Sequence, residues 1–255
     1  RDFADVLAEA QALGYAEADP TFDIEGIDAA HKLTILSSIA FGVPLQFEAM
    51  YTEGISEITV EDIRYASELG FKIKHLGITT KTDRGIGLRV HPTLIQKDKM
   101  LAQVNGVMNA VLVGSDAAGE TMYYGAGAGA GPTASSVIAD VIDVVRAGNS
   151  IPDMGFVQAE LLGSAVLAIE DVETAYYLRL SALDKPGVMA QISSILGRHN
   201  ISIESLIQKD LHKGQVPVVI VTDTVIEKSM NAAIVELESL DQVDGSVTRI
   251  RVESF

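Results

Sequence analysis

Apolar residues recur at two different spacings along the chain, and these spacings predict the helices and strands of its first half. A spacing of three to four residues is typical of a helix with one buried face, and runs of β-branched residues are typical of strands. The predicted helices are 3–13, 27–41 closed by Gly42, and one from residue 63 that ends at Gly70; the predicted strands are 72–78, 88–95, 109–114 and 120–124, with a turn at 116–119. Several strands with a few helices indicate an α+β domain, with helices on one face of a mixed sheet.

The second half of the chain shows a different order of elements. The predictions there are a strand at 176–182, a helix at 188–199, strands at 201–208 and 216–224, a helix at 227–240 and a strand at 246–252. This order is β-α-β-β-α-β, the ferredoxin-like arrangement. We therefore expect three regions: an α+β domain over 1–124, a glycine loop, helix and linker over 125–171, and a ferredoxin-like domain over 172–255.

Composition and charge narrow the class of function. The 255 residues include no cysteine, which excludes a disulfide scaffold, a thiolate metal site and a thiol nucleophile. The formal net charge of −16 repels nucleic-acid phosphates, and no basic stripe offsets it. No apolar run reaches the roughly 18 residues of a membrane span, and the histidines lack metal-ligand spacing. We expect a cytoplasmic protein that binds small molecules, with no metal, nucleic acid or membrane partner.

An acid-rich segment over residues 14–32 contains the first candidate site. Asp28 and Lys32 are four residues apart, so they share one face of the predicted helix. One interpretation is structural: an acidic residue near the helix N-terminus that also forms an ion pair. The other is chemical, because reaction at an alcohol or aldehyde carbon needs a proton donor, and carboxylates can hold the ammonium group of a substrate.

A glycine-rich loop before a further predicted helix, over residues 133–146, is the second candidate. Gly125, Gly127 and Ala130 fit the spacing G-x-G-x-x-A, and glycines before a helix let backbone amides approach an anion. The match is weak alone, because the usual dinucleotide-binding loop follows the first strand of a βαβ unit. A tight structural turn is the alternative interpretation.

Six segments carry a resemblance to a known family. They are Gly14-Tyr-Ala-Glu-Ala-Asp-Pro-Thr21, Asp23-Ile-Glu-Gly-Ile-Asp-Ala-Ala-His-Lys32, Tyr51-Thr-Glu-Gly-Ile-Ser-Glu-Ile58, His75-Leu-Gly-Ile78, Val90-His-Pro-Thr-Leu-Ile95 and Val104-Asn-Gly-Val-Met-Asn-Ala-Val111. In this order they resemble homoserine dehydrogenases, and the likeness covers residues 1–146. The resemblance implies NAD(P)-dependent interconversion of L-homoserine and L-aspartate 4-semialdehyde, with residues 1–124 as the substrate-binding and dimerisation domain.

The resemblance also implies roles for particular residues. Glu17 and Asp28 match residues of the substrate pocket, Tyr15 matches a substrate contact, and Lys32 matches the proposed proton-transfer lysine. The glycine loop and the helix after it match the segment that returns the chain to the nucleotide-binding domain. The loop faces the nicotinamide in that family, so we expect cofactor contacts from Gly127, Ala128 and Gly129. The cofactor is NADP or NAD, a choice that the family makes in its N-terminal nucleotide-binding half.

The last predicted domain resembles an ACT domain, a module that senses amino acids. Leu183-Asp-Lys-Pro-Gly-Val-Met189 and His199-Asn-Ile-Ser-Ile-Glu204 carry the likeness. It implies a regulatory ligand site formed by Asp184, Pro186, Gly187, Val188, Asn200 and Ile201. Joined to a homoserine dehydrogenase, such a domain implies feedback inhibition by L-threonine. An ordinary turn and helix start is the alternative, since some such domains only dimerise.

Three alternatives for the whole chain stay open from the sequence. The chain begins within a helical pattern, so we expect that a nucleotide-binding half precedes it and that the 255 residues alone do not turn over substrate. A second hypothesis is a non-catalytic regulatory and dimerisation protein that binds an amino acid. A third is a dehydrogenase of another small amino acid. In each case we expect a homo-oligomer, a dimer or tetramer.

Overall fold

The computed structural model describes residues 3–14, 18–148, 165–209 and 214–255. The helices are α1 (Phe3–Ala12), α2 (Thr21–Ile24), α3 (Ile27–Phe41), α4 (Val60–Glu68), α5 (Ala130–Ala147), α6 (Val188–Arg198) and α7 (Glu227–Glu238). The strands are β1 (Tyr51–Thr52), β2 (Phe71–Thr82), β3 (Gly85–Gln96), β4 (Met108–Ser115), β5 (Gly119–Ala126), β6 (Glu173–Leu183), β7 (Ile203–Gln208), β8 (Gln215–Thr222), β9 (Val225–Ile226) and β10 (Val243–Val252). The α+β class predicted from the sequence is confirmed.

Local sequence signals explain where the helices of the first half begin and end. Helix α3 ends at Gly42, whose φ of 63° is the left-handed conformation that glycine adopts without strain. Helix α4 begins at Val60, three residues earlier than predicted. Thr59 accepts a hydrogen bond from the Asp62 amide, and the Asp62 carboxylate accepts one from the Thr59 amide, which forms a capping box.

Strand β3 organises the main sheet. Its whole length pairs antiparallel with β2 along one edge. The other edge holds three short partners in succession, all parallel: Val166 beside Ile86, β1 beside residues 89–90, and the end of β10 beside residues 93–94. Because β10 belongs to the second half of the chain, one mixed sheet of eight strands runs through both halves. The boundary expected near residue 172 stays a prediction.

The second half has the ferredoxin-like arrangement that its element order predicted. The strands lie in the order β10-β6-β8-β7, with all of these neighbours antiparallel. Apolar residues of α6 and α7 pack on one face of this sheet. The largest buried cluster of the described residues includes Tyr176, Leu178, Leu180, Ile192, Leu196, Val218, Ile220, Met230 and Leu237.

The opposite face of the sheet is covered by helices of the first half. Tyr177 points away from Tyr176 because successive strand residues alternate between faces. It packs with Tyr65 and Ala66 of α4 and with Leu94 of β3. A separate cluster joins α3 to Ile86, Leu88 and Val90 on the same face. The shared sheet therefore has α3 and α4 on one side and α6 and α7 on the other.

A hairpin and a long helix extend from the main sheet with few buried residues. Strands β4 and β5 form a two-stranded sheet of their own, around the turn predicted at 116–119. Helix α5 follows, and it has no buried residue. Val141 and Val145 of this helix are 53% and 75% exposed. Among the described residues, none of the helices has both the length and the apolarity needed to cross a lipid bilayer.

Candidate functional site

The predicted pair of Asp28 and Lys32 lies on the first two turns of α3. The Lys32 ammonium donates a hydrogen bond of 2.5 Å to Oδ2 of Asp28, and the two side chains are 67% and 43% exposed. Asp28 also lies in the first turn, where the helix dipole favours a negative charge. The geometry is therefore compatible both with a structural ion pair at the helix N-terminus and with a proton donor that acts on a substrate. The pair leaves an ammonium group open to a ligand, held in place by a carboxylate.

The start of α3 is held by a close contact with β2 and β3. Gly26 precedes the helix with a φ of 77°, and a Cβ at this position would lie 2.7 Å from Cε1 of His75 and 2.9 Å from Cγ1 of Val90. Only glycine satisfies both the backbone conformation and the space. His75 in turn hydrogen-bonds through Nε2 to the Glu53 carbonyl at 2.9 Å. Burial lowers the pKa of His75, so the ring stays neutral around pH 7.

His31 connects the same helix to the segments around it. Its ring stacks between Phe47, at 4.0 Å between centroids, and Phe22, at 5.8 Å, with interplanar angles of 10°. Phe22 belongs to α2, in the acid-rich segment. The stack therefore ties this segment to α3 next to Lys32. This stack was not predictable from the sequence, because three aromatic residues so far apart form no periodic pattern.

Two predicted substrate contacts, Tyr15 and Glu17, lie outside the described residues. The structure therefore neither joins them to the pair of Asp28 and Lys32 nor separates them from it. Within the described ranges, no three acidic or histidine side chains are grouped so as to hold a metal ion.

The glycine loop has a clear structural reason for two of its glycines. Gly127 donates a hydrogen bond to the Val107 carbonyl at 3.1 Å, and a Cβ on Gly127 would collide with the Asn109 side chain. Gly129 has a φ of 125° just before α5. Ala128 lies between them and is exposed. A tight structural turn is therefore sufficient to explain why residue 127 is a glycine. An exposed backbone before a long helix is also compatible with a cofactor nearby, so the contacts of 127–129 stay predictions.

The predicted regulatory residues lie at one end of the ferredoxin-like domain. Val188 and Ile201 are both buried in its core cluster, which brings their two loops together. Asp184 and Pro186 are exposed, and Gly187 precedes α6 with a φ of 92° and no side-chain cap. Asn200 has a φ of 58°, which is uncommon outside glycine. The two loops therefore lie side by side, and the regulatory ligand site that they would form stays a prediction.

A buried ionic cluster that was not predicted from the sequence lies between the two halves. Arg251 is fully buried, and its guanidinium donates to both carboxylate oxygens of Glu227, at 2.8 and 2.6 Å, and to Glu53 at 2.8 Å. Burial acts to lower the pKa of Arg251, but Glu227, Tyr51 and Glu53 outweigh it and raise the pKa. A signal was present, because Arg249 and Arg251 alternate with apolar residues in a buried strand.

A second ionic contact joins the halves on the other face of the sheet. Asp62 of α4 has no exposed side-chain surface, and it accepts hydrogen bonds from Arg179 at 2.6 and 3.0 Å and from the Tyr177 hydroxyl at 3.1 Å. Burial acts to raise the pKa of Asp62, but hydrogen bonds from Arg179 and Thr59 outweigh it and lower the pKa. The two halves are therefore connected by polar contacts on both faces of their common sheet.

Fold and contacts together define a class of protein: an α+β domain with an exposed lysine–aspartate pair, fused through its sheet to a ferredoxin-like domain. The sequence profile of the homoserine dehydrogenase family matches residues 1–142, and the profile of the ACT domain matches residues 176–241. The chain belongs to the homoserine dehydrogenase family, and it carries an ACT domain. The family resemblance found in the sequence is confirmed.

Individual relatives agree with this assignment. The chain is 59% identical to the homoserine dehydrogenase of Pseudomonas aeruginosa and 53% identical to that of Neisseria gonorrhoeae, over 100% and 99% of its length. A crystal structure of a homoserine dehydrogenase from Thiobacillus denitrificans superposes with a TM-score of 0.92 at 56% identity, over 99% of this chain and 59% of that one. The chain spans 60% of the length of each of the two curated relatives.

Proposed function

We propose that the chain is the substrate-binding and regulatory part of a homoserine dehydrogenase that interconverts L-homoserine and L-aspartate 4-semialdehyde with NADP or NAD. Family membership supports the reaction class. The observation that carries the mechanism is the exposed ammonium of Lys32, held at 2.5 Å by Asp28. An oxidation or reduction at a carbon that bears oxygen needs such a group to move the proton.

In the direction of reduction, the Lys32 ammonium donates a proton to the aldehyde oxygen of the semialdehyde as that oxygen becomes a hydroxyl. Asp28 positions the ammonium and balances its charge, which orients the donor before substrate arrives. Glu17 holds the ammonium of the substrate, and Tyr15 contacts the substrate. When bound beside residues 127–129, a nicotinamide would supply the hydride. The exposed backbone of Gly127, Ala128 and Gly129 fits a planar ring approaching this side of the chain, since none of the three carries a large side chain.

The test of this mechanism is homoserine oxidation by the full-length polypeptide. We expect Lys32→Ala to lower turnover at least ~100-fold, in the range for loss of a general acid or base. We expect Asp28→Asn to lower it less, and Glu17→Ala to act mainly on the KM for homoserine. Lys81→Ala, at an exposed lysine of β2, is the matched control and should leave the rate unchanged. A normal rate in Lys32→Ala would defeat the mechanism.

We extend the proposal to regulation, assembly and location. The loops around Asp184, Gly187 and Asn200 would bind L-threonine as a feedback inhibitor, and the exposed apolar residues of α5 would be covered by the nucleotide-binding half, to which this helix returns the chain. The assembled protein would be a homo-oligomer, a dimer or tetramer. A cytoplasmic location is compatible with a chain that has no cysteine, because such a chain needs no disulfide bond that a reducing compartment would break. If the activity of the full-length protein is insensitive to threonine, the regulatory part of the proposal is wrong, whereas the proposed reaction is unaffected.

A further inference from the structure

A short segment directly after β1 connects the buried ionic cluster to the start of α3. It consists of residues 53–56, and we call it the bridging segment. The Glu53 carboxylate accepts hydrogen bonds from the Tyr51 hydroxyl at 2.6 Å and from Arg251 of β10 at 2.8 Å. The Glu53 amide donates to the Val90 carbonyl of β3 at 2.8 Å. The first residue of the bridging segment is therefore fixed through both its side chain and its backbone.

The rest of the bridging segment contacts the turn that precedes α3. The Ile55 amide donates to the Ile24 carbonyl at 2.9 Å, and the Ser56 hydroxyl donates to Oε1 of Glu25 at 2.8 Å. Gly54 lies between these two contacts. A Cβ at this position would be 2.9 Å from the Ile24 carbonyl oxygen and would collide with the Glu25 carboxylate. The segment therefore packs directly against the turn, and a side chain at position 54 would push the two apart.

His75 makes a second link between the bridging segment and α3. Its Nε2 hydrogen-bonds to the Glu53 carbonyl, and its ring lies where a Cβ of Gly26 would be. Gly26 directly precedes α3, and its carbonyl accepts a hydrogen bond of the first helical turn from the Ala30 amide at 2.9 Å. Two sets of contacts from the bridging segment therefore fix where α3 begins.

We propose that Glu53 is a positioning residue for the pair of Lys32 and Asp28. Arg251 of the C-terminal half holds Glu53, so that half completes the catalytic site through a structural contact that requires no bound ligand. The inference rests on the proposed function, in which Lys32 moves the proton of the reaction. A helix is a stiff element, so a shift of residues 24–26 also shifts the side chains of its first two turns. A displacement of about 1 Å can lower turnover on the order of 100-fold, even when the substituted residue is remote from the reacting atoms.

Homoserine oxidation by the full-length polypeptide with Glu53→Gln tests the inference. The amide keeps the size of the side chain and removes the charge that Arg251 binds. We expect kcat to fall about tenfold, because the start of α3 is held less firmly. Glu173→Gln is the matched control, since its ion pair with Arg84, at 3.4 Å, also joins the two halves; it should leave kcat unchanged. A normal kcat in Glu53→Gln would overturn the inference.

A double variant separates positioning from a loss of folded protein. If Glu53 acts through Lys32, then Glu53→Gln causes little further loss once Lys32→Ala has removed the proton donor. A folding defect would instead lower the rate by the same factor in both backgrounds, and that result would overturn the role of Glu53 alone. A normal rate in Lys32→Ala by itself would defeat the proposed mechanism, and the inference with it.

Gly54→Ala perturbs the same junction from the other side. The φ of Gly54 lies outside the left-handed region, so the backbone accepts alanine, but the added methyl group displaces the turn before α3. Hydrogen exchange of the full-length protein at residues 27–32 gives a readout that needs no catalysis. We expect faster exchange in Glu53→Gln and Gly54→Ala, and no change in the control Gly197→Ala, whose added Cβ meets no atom within 4 Å. Unchanged exchange in all three variants would contradict the inference.

Discussion

Two ion pairs in this molecule have nearly the same length and opposite surroundings. The Lys32–Asp28 pair measures 2.5 Å, and the closest contact of the Arg251–Glu227 pair measures 2.6 Å. The first is 67% and 43% exposed, whereas the second is 0% and 2% exposed. Distance therefore does not separate a structural pair from a chemically available one. Solvent exposure does, because a proton or a substrate must reach the charged group.

The two pairs also differ in how they are supported. Lys32 and Asp28 share one helix, so their contact forms whenever α3 forms. Arg251 and Glu227 lie on β10 and α7, and Arg251 also reaches Glu53 in the other half of the chain. A buried pair of this kind needs its full set of hydrogen bonds to offset the loss of water. We therefore assign the buried cluster to joining the halves and the exposed pair to the substrate.

The largest effect is expected where the buried pair is broken. Arg251→Met leaves Glu227 and Glu53 without their main partner, and we expect a loss of about 3–5 kcal/mol in the free energy of unfolding. Urea denaturation measures it. Arg84→Met is the control, since the Arg84–Glu173 pair is 53% and 57% exposed at 3.4 Å and should contribute less than about 1 kcal/mol.

A double variant sharpens this first prediction. Arg251→Met with Glu227→Met removes both charges, so the cost of an unpaired buried carboxylate disappears, and we expect part of the lost stability to return. If the double variant is less stable than Arg251→Met alone, the contacts of Glu227 with Tyr176 and Arg249 matter more than its charge balance with Arg251.

An intermediate effect is expected for His91, which lies buried on β3 near Arg251. Burial and the charges of Arg251 and Arg89 lower the pKa of His91 to about 2. The unfolded chain takes up a proton at this residue near pH 6.5 while the folded chain does not, so stability falls as the pH drops from 6.5 toward 2. The loss from this residue approaches about 1.4 kcal/mol per pH unit.

The comparison of wild type with His91→Phe isolates this contribution. Denaturation at a series of pH values from 7.5 to 4.5 gives the slope of stability for each protein, and the values at pH 7.5 give the baseline. We expect a shallower slope in His91→Phe than in wild type. Equal slopes would mean that His91 takes up a proton in the folded chain as readily as in the unfolded one.

The smallest effect on stability is expected at the exposed pair. Lys32→Met removes a solvated ion pair, and we expect a change below about 1 kcal/mol in the free energy of unfolding. Turnover of the full-length protein is nevertheless expected to fall ~100-fold when this lysine is removed. The measurement is the same urea denaturation as for Arg251→Met. A loss as large as that of Arg251→Met would mean that Lys32 has a structural role like the buried cluster.

Much of the secondary structure was predictable, with errors that have local causes. The α3 helix was predicted at its observed bounds because apolar spacing and Gly42 agree. The strands at 72–78 and 88–95 were predicted too short. They are β2 and β3, a hairpin of two twelve-residue strands that turns at residues 83–84. Lys81 and Arg84 interrupt the apolar pattern that marks a strand. Both strands were therefore predicted to end before they reach the turn.

The candidate site was only partly predictable. The sequence placed Asp28 and Lys32 on one helical face, since a spacing of four residues is enough for that. It did not indicate the stack around His31 or the contact of Gly26 with His75. These contacts join residues beyond the reach of one or two helical turns along the chain, or fill a space that only the folded chain defines.

The sequence by itself determined the elements that depend on neighbours along the chain: the helix with its lysine and aspartate, the β-α-β-β-α-β order, and the family. Only the tertiary structure decided that β10 pairs with β3, which joins the halves in one sheet and buries Arg251 against Glu53. The physical reason is the separation along the chain over which each interaction acts. Helix periodicity and capping act over a few residues, whereas strand pairing and the burial of charge depend on which distant segments the fold brings together.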